Sequence, residues 1–217
     1  MTEQDVVPSK HERRKARTRA ALVKAAQRLI AEGRDNTAIL EITRIADVGM
    51  GSFYNHFASK EELFKAAVDD ALEAHADLLD QLADEFDDPA DVFAQSFRLT
   101  GRLHRLAPEL SRVLLARGPE LLGSDRGLAP RALRDIEQGV AIGRFTVADP
   151  HVALMLAAGG VLALGQSLHD DPELDDARTT DQMATDLLRM FGVPDVEARE
   201  ICSRPLPPIG LSNLSPS

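Results

Sequence analysis

Several residue types are scarce in this 217-residue sequence, and each scarcity excludes a class of protein. A single cysteine, Cys202, leaves no internal disulfide and no multi-cysteine metal site, and it suits a reducing compartment. The longest uncharged apolar run, Val152 to Gly165, is shorter than the roughly 20 residues that a membrane-spanning helix needs. We therefore interpret this run as a buried core helix and expect no membrane partner.

Motifs of catalytic sites are also missing. The sequence contains no G-x-S-x-G, no P-loop, no H-E-x-x-H and no G-x-G-x-x-G. The acidic residues Asp69, Asp70, Glu73 and Asp77 favour a solvated helix face over a metal site. We expect a protein that is not an enzyme, with no catalytic residue, no cofactor and no bound metal.

Net positive charge is confined to the first part of the chain. Residues Lys10 to Lys65 hold 12 Lys and Arg against 7 Asp and Glu, although the whole chain has a net charge of −10. No lysine follows Lys65, and the later residues are strongly acidic. A basic front and an acidic back predict two modules, of which only the first suits the phosphates of a nucleic acid.

Apolar residues recur at helical spacing, and no stretch alternates as a strand would. The sequence therefore predicts an all-α fold of nine or ten helices. We expect a disordered N-terminus at 1–9, a first domain at 10–66, a larger helical domain at 67–203 and a loose Pro-rich tail at 204–217.

Four ring-bearing residues crowd the segment "GMGSFYNHFASKEEL", although aromatic residues make up only 4% of the chain. The preceding "DVG", Asp47 to Gly49, is typical of the turn in a helix-turn-helix, because Asp tolerates the left-handed backbone better than most residues. Phe53 and Phe57 lie four residues apart, so they share one helix face and should enter the core.

Polar groups fill the remaining positions of this segment. Hydroxyl, amide and imidazole groups can hydrogen-bond to phosphates or base edges. Ser59 to Glu62 matches a capping box, which would start the next helix with Lys60 in its first turn. A helix N-terminus beside a lysine is suited to binding phosphate.

The stretch "ITRIADVGMGSFYNHFASKEELF" resembles the DNA-binding signature of the TetR family of bacterial transcriptional regulators. The resemblance covers roughly residues 14 to 66, and the later part of the chain matches only in its helix pattern. It implies an N-terminal three-helix helix-turn-helix domain and a larger C-terminal domain for ligand binding and dimerisation. It also implies DNA contacts at Arg44, Gly51, Ser52, Tyr54, Asn55, His56 and Lys60.

Three positions depart from the family pattern. Met50 stands where a lysine is common, Gly49 where Ser or Thr is common, and Leu40 where the family is usually polar. These differences bear on the strength or the sequence of operator recognition and leave the expected fold unchanged.

Two apolar stripes on the helix after Pro89 predict packing partners on both sides. One interpretation is a fully buried helix, and the other is a helix that lines a largely apolar cavity among the fourth to eighth helices. The candidate cavity walls are Phe93, Phe97, Leu114, Ile136 and Val140, with Thr100 and His104 as polar anchors. His75 interrupts an apolar stripe and is either an ordinary core histidine or a relay between the two domains.

The helix from Pro150 to His169 carries no Asp, Glu, Lys or Arg. One of its faces can pack on the chain's own core, and the opposite face must be covered as well. Gly159, Gly160, Ala163 and Gly165 would permit close approach of another helix. We predict a homodimer in which this helix and the next form a four-helix contact.

The leading hypothesis is a cytoplasmic, nucleoid-associated repressor that binds a near-palindromic double-stranded DNA operator. An apolar or weakly polar small-molecule effector would release it. One alternative is an activator or a regulator without an effector, whose acidic domain is mainly a protein-interaction module. Another is an enzyme that carries a DNA-binding domain.

Overall fold

The computed structural model describes residues 9–34, 36–83, 87–121 and 127–207. These residues form ten helices and no strand, which confirms the predicted all-α class. The helices are α1 (Lys10–Ala31), α2 (Ile39–Ile45), α3 (Met50–Tyr54), α4 (Lys60–Ala83), α5 (Pro89–Leu106), α6 (Pro108–Leu121), α7 (Leu128–Ala141), α8 (Pro150–Asp170), α9 (Asp176–Met190) and α10 (Asp195–Ser203).

The chain divides into two compact units, Met1–Asp70 and Ala71–Ser217. The division falls within α4, four residues after the predicted boundary at residue 66.

In the first unit, α1 packs through Leu22, Ala26, Leu29 and Ile30, which are all buried. Its start is fixed by a complete capping box: the Ser9 side chain accepts from the Glu12 backbone N–H, and the Glu12 carboxylate accepts from the Ser9 N–H. Ser9 was expected to belong to a disordered N-terminus, but these two bonds order it. Residues 1–8 lie outside the described residues.

A tight turn joins α2 to α3. Asp47 has a φ of 52°, as the sequence predicts for this turn, and it is the one non-glycine residue with a positive φ among those described. Gly49 is the N-cap of α3 and, lacking a side chain, gives no side-chain cap bond. Helix α2, this turn and α3 therefore follow one another as in a helix-turn-helix.

The second unit is built around α5. Asp88 caps this helix by accepting from the Ala90 N–H at 2.9 Å, and Pro89 takes the first helical position, where its missing N–H costs nothing. Edge-to-face contacts join Phe93 to Phe191 at 4.8 Å and Phe145 to Phe191 at 5.3 Å between ring centroids. These three rings lie in the main hydrophobic cluster of the unit.

Ion pairs tie α5 to the C-terminal helices. The side chain of Arg98 is 7% exposed and lies 2.8 Å from Asp181, which Arg102 also contacts at 2.7 Å. Arg98 donates to the Arg204 carbonyl at 3.0 Å, and the Arg204 side chain pairs with Asp91. The start of the predicted loose tail is therefore held against α5, whereas residues 208–217 lie outside the described part of the chain.

Helix α7 begins at Leu128. Pro130 is accommodated because it falls in the first turn, where no intrahelical N–H bond is lost. Residues 122–126, between α6 and α7, lie outside the described ranges.

Candidate functional site

The helix-turn-helix presents its aromatic residues in two directions. Phe53 is fully buried and Phe57 is 3% exposed, whereas Tyr54 is 60% exposed. Burying one phenylalanine contributes about 1.5–3 kcal/mol, so the two rings anchor the short helix α3. The Tyr54 ring meets Phe53 edge-to-face at 5.3 Å, which orients it while its hydroxyl stays at the surface.

The other positions that the resemblance implies for DNA contact are also accessible. Arg44, Gly51 and Asn55 are exposed, and Ser52, His56 and Lys60 are half-buried. Burial, with Lys15 and Arg19 nearby, lowers the pKa of His56. Arg19 also stacks over the Phe57 ring at 5.4 Å, so α1 brings basic groups to the same surface.

The predicted capping box at the start of α4 forms only in part. Ser59 accepts from the Glu62 N–H at 3.2 Å, but the Glu62 carboxylate accepts from Ala58 rather than from the N-cap residue. Lys60 donates from Nζ to Oδ1 of Asn36 at 2.6 Å. This bond holds the lysine in place in the free protein, and a phosphate would compete with Asn36 for it.

A cavity of about 140 Å³ lies in the second unit, lined by α4 to α8. An engineered cavity of about 150 Å³ holds one benzene ring, so this volume suits a single-ring molecule. Most of its wall is aliphatic or aromatic. The lining residues are Leu72, Ala76, Leu79, Phe93, Ser96, Phe97, Thr100, His104, Leu114, Gly118, Leu128, Ala129, Arg131, Ala132, Asp135, Leu154, Ala157, Ala158, Val161 and Leu162.

The structure brings five of the seven predicted cavity residues together. Phe93, Phe97, Thr100, His104 and Leu114 all line the cavity. Ile136 and Val140 do not: Ile136 is fully buried in the hydrophobic cluster, and Val140 packs against that cluster. They face the neighbouring core because α7 turns a different side, that of Arg131 and Asp135, to the cavity.

Thr100 joins the cavity wall to a buried histidine. Its hydroxyl donates to the Ser96 carbonyl at 2.8 Å and lies 3.1 Å from Nε2 of His75. His75 is fully buried, and burial, followed by the nearby His104, lowers its pKa to about 3. The ring is therefore neutral at ordinary pH.

His104 is held by hydrogen bonds at both ring nitrogens. Nε2 donates to the Val161 carbonyl at 3.1 Å, so Nδ1 is the acceptor and receives the Ser111 hydroxyl at 2.7 Å. Ser111 in turn lies 2.8 Å from Nε2 of His169. Burial lowers the pKa of His104 to about 4, so it too is neutral.

Arg131 and Asp135 are cavity residues that the sequence reasoning missed. Arg131 pairs with Asp77 at 2.7 Å and with Glu73 at 3.3 Å, and Glu73 also accepts from the Gly127 N–H at 3.0 Å. Glu73 and Asp77, expected to form a solvated face, thus position a cavity arginine. The four-residue spacing of Arg131 and Asp135 was the available signal, since it places both on one face of α7.

One face of α8 is apolar and exposed. Val152, Met155 and Leu156 are each 48–59% exposed, so the expected buried core helix is buried on one side only. Of the described helices, α8 alone is long and apolar enough to cross a membrane by length and composition. Gly165, expected at a subunit contact, instead lies against His104 within the chain.

Sequence comparison matches both units to known families. Residues 22–67 match the family described as "Bacterial regulatory proteins, tetR family", and residues 88–204 match "Tetracyclin repressor-like, C-terminal domain". The second match alone covers more than half of the chain. This chain belongs to the TetR family.

Among the solved structures, this TetR-family chain is similar to RolR. It is 39% identical to RolR without ligand, over 88% of this chain and 100% of the other, with a TM-score of 0.68. It is 37% identical to RolR in complex with resorcinol, over 92% and 100% of the two chains, with a TM-score of 0.63.

The chain is also 25% identical to the probable HTH-type transcriptional regulator ArpR of Pseudomonas putida, over 80% of this chain and 92% of ArpR. This TetR-family protein is therefore a transcriptional regulator.

Proposed function

We propose that this regulator is a homodimeric repressor released from its DNA operator by a small hydroxylated aromatic molecule. The observation that carries the proposal is the cavity of about 140 Å³ inside the second unit. The atoms that line this cavity lack packing partners on one side, and a ligand that fills it would supply those contacts.

DNA binding would use the accessible helix-turn-helix surface. In this proposal Arg44, Tyr54, Asn55 and His56 face the major groove or its flanking phosphates, with Gly51 and Ser52 at close approach. Lys60 and the N-terminus of α4 would take a backbone phosphate. Met50, 40% exposed, presents an apolar side chain to the DNA where relatives commonly carry a cation.

The effector class follows from the cavity's size and lining. Phe93 and Phe97 give aromatic walls, and the polar groups of Ser96, Thr100, Arg131 and Asp135 are few. A ring with one or two hydroxyls matches such a lining better than a highly charged molecule does. The resemblance to RolR, which binds resorcinol, supports this class.

Dimerisation would use the exposed face of α8 together with α9. A charge-free apolar stripe of this kind on a soluble regulator favours a self-complementary contact about a two-fold axis. Two copies would then place their recognition helices about 34 Å apart, in successive major grooves.

Release requires the effector to bind the DNA-free form better than the DNA-bound form. Helix α4 carries Lys60 in its first turn and the cavity residues Leu72, Ala76 and Leu79 further along. A ligand that displaces these three side chains would act on the helix that bears the proposed phosphate contact.

The test begins with an operator duplex selected from a random DNA library by the purified protein. Fluorescence anisotropy then follows release of the labelled duplex as resorcinol is added. Ala132→Phe should fill the cavity and abolish the response while DNA affinity persists, because Ala132 lines the cavity. Ala141→Phe, exposed at the end of the same helix, is the matched control and should respond normally. An Ala132→Phe protein that still releases DNA with resorcinol would place the effector site elsewhere.

A further inference from the structure

The side chain of Met50 has open space beside it at the beginning of α3. It is flanked by Gly49 and Gly51, which have no side chains. Apart from the adjoining residues and the helix's own backbone, a Cβ atom at Gly51 would meet nothing within 4 Å. One at Gly49 would meet only the Ser52 hydroxyl oxygen, at 3.9 Å. A large molecule can therefore approach the Met50 side chain closely from either side.

Met50 shares a face of α3 with Tyr54. The two residues lie four positions apart, which is about one helical turn. Met50 is 40% exposed and Tyr54 is 60% exposed, whereas Phe53 is fully buried. The outer face of α3 therefore presents an apolar side chain next to the tyrosine ring, and this is the face that the proposed DNA contact uses.

An apolar side chain at this position suits one feature of a base edge. In a helix-turn-helix, residues at the beginning of the recognition helix contact base edges in the major groove. Of the four bases, only thymine presents an apolar group there, its C5 methyl, whereas the other groups are hydrogen-bond donors or acceptors. A methionine side chain has no donor and only a weak acceptor. Its flexible, polarizable thioether can instead pack against a methyl group.

We propose that Met50 packs against the C5 methyl group of a thymine in the operator and so selects thymine at one base pair of the half-site. The inference rests on the proposed function, in which α3 enters the major groove of the operator. It adds the chemical group on the DNA that this side chain recognises, and it makes Met50 a residue that determines operator sequence.

Uracil is a suitable probe, because it pairs as thymine does and lacks only the C5 methyl group. The parent duplex is the operator that the purified protein selects from a random DNA library. Each thymine of one half-site, on either strand, is replaced by uracil in turn, and fluorescence anisotropy gives the dissociation constant of each duplex. We expect one replacement to weaken binding about fourfold, which corresponds to the burial of one methyl-sized group. A selected half-site without thymine, or equal affinity for the parent and every uracil duplex, would overturn the inference.

Variants at position 50 test whether its side chain makes the methyl contact. Met50→Ala should bind the thymine and uracil duplexes equally, whereas Met50→Leu, which keeps a large apolar side chain, should keep most of the preference. Tyr54→Phe is the matched control on the same face, and it should weaken both duplexes alike without changing their ratio. A Met50→Ala protein with the wild-type preference for thymine would contradict the proposed contact, since the methyl group would then act through DNA shape or another side chain.

Failure of operator binding and failure of thymine recognition give different results. A protein that selects no DNA sequence contradicts the proposed function, and the inference fails with it. A protein that binds its operator but does not distinguish thymine from uracil at any position contradicts the inference alone. The uracil series uses the unmodified protein, so its outcome does not depend on the folding of a variant.

Discussion

Gly165 of α8 lies against the His104 side chain of α5. A methyl group added to Gly165 would lie 2.6 Å from Nδ1 and 2.8 Å from Nε2 of that ring, well inside normal contact. The ring cannot retreat freely, because Ser111 and the Val161 carbonyl hold it on both sides. Gly165→Ala should therefore break this packing.

The magnitude follows from three effects. Leaving one buried hydrogen-bonding group unpaired costs about 1–3 kcal/mol, and overpacking a core costs about 1–3 kcal/mol. Alanine is the better helix former by about 1 kcal/mol, which offsets part of this loss. We expect a net destabilisation of roughly 1–5 kcal/mol from these ranges.

Urea unfolding at fixed protein concentration, followed by circular dichroism, measures the free energy of unfolding. Gly160→Ala, in the same helix, is the control: its methyl would lie 3.2 Å from Cε of Met183, a flexible group that can move away. This control should be neutral or stabilised by up to about 1 kcal/mol. A Gly165→Ala protein as stable as its control would refute the described packing of α5 against α8.

Three further predictions concern DNA, assembly and pH. Tyr54→Phe should keep the fold, because the side chain is exposed, and weaken operator binding roughly tenfold; unchanged affinity in anisotropy titrations would exclude the hydroxyl contact. Met155→Glu should convert the dimer to a monomer in sedimentation at micromolar concentration, whereas Val196→Glu, exposed on α10, should not; a monomeric wild type would contradict the proposed assembly. The pKa of His75 is about 3 in the folded protein, against an ordinary value of 6.5. Between these two pH values the unfolded chain binds a proton at His75 that the folded protein does not bind. The free energy of unfolding therefore falls as the pH drops. His75→Gln should flatten that fall by up to about 1.4 kcal/mol per pH unit in urea titrations from pH 6.5 to 4, and an unchanged slope would contradict the burial of a neutral ring.

The sequence predicted the features that local chemistry decides. The left-handed Asp47, the inward Phe53 and Phe57 and the exposed Tyr54 all follow from spacing within a few residues. The all-α class follows in the same way from helical periodicity.

Features that depend on packing between distant helices were harder to predict. The sequence gives no reason to place Arg131 anywhere but at the surface. Its ion pairs with Glu73 and Asp77 depend on the packing of α4. From the sequence alone, Gly165 could equally well lie at a subunit contact. The packing of α5 places His104 against it instead. Which residues of α7 face the core and which face the cavity likewise depends on the rotation of the helix about its own axis. The apolar repeat in the sequence determines that rotation only to within about one residue.

In the proposed function, cavity occupancy and DNA binding oppose each other, and thermodynamic linkage makes this opposition measurable in one experiment. Calorimetry measures the affinity of resorcinol for the free protein and for the protein saturated with its operator duplex. Resorcinol should bind the complex more weakly than the free protein, by the same factor by which resorcinol weakens the protein's affinity for the operator. Equal affinity of resorcinol for the two forms would contradict effector-driven release, because a ligand that does not distinguish the two forms cannot shift the equilibrium between them.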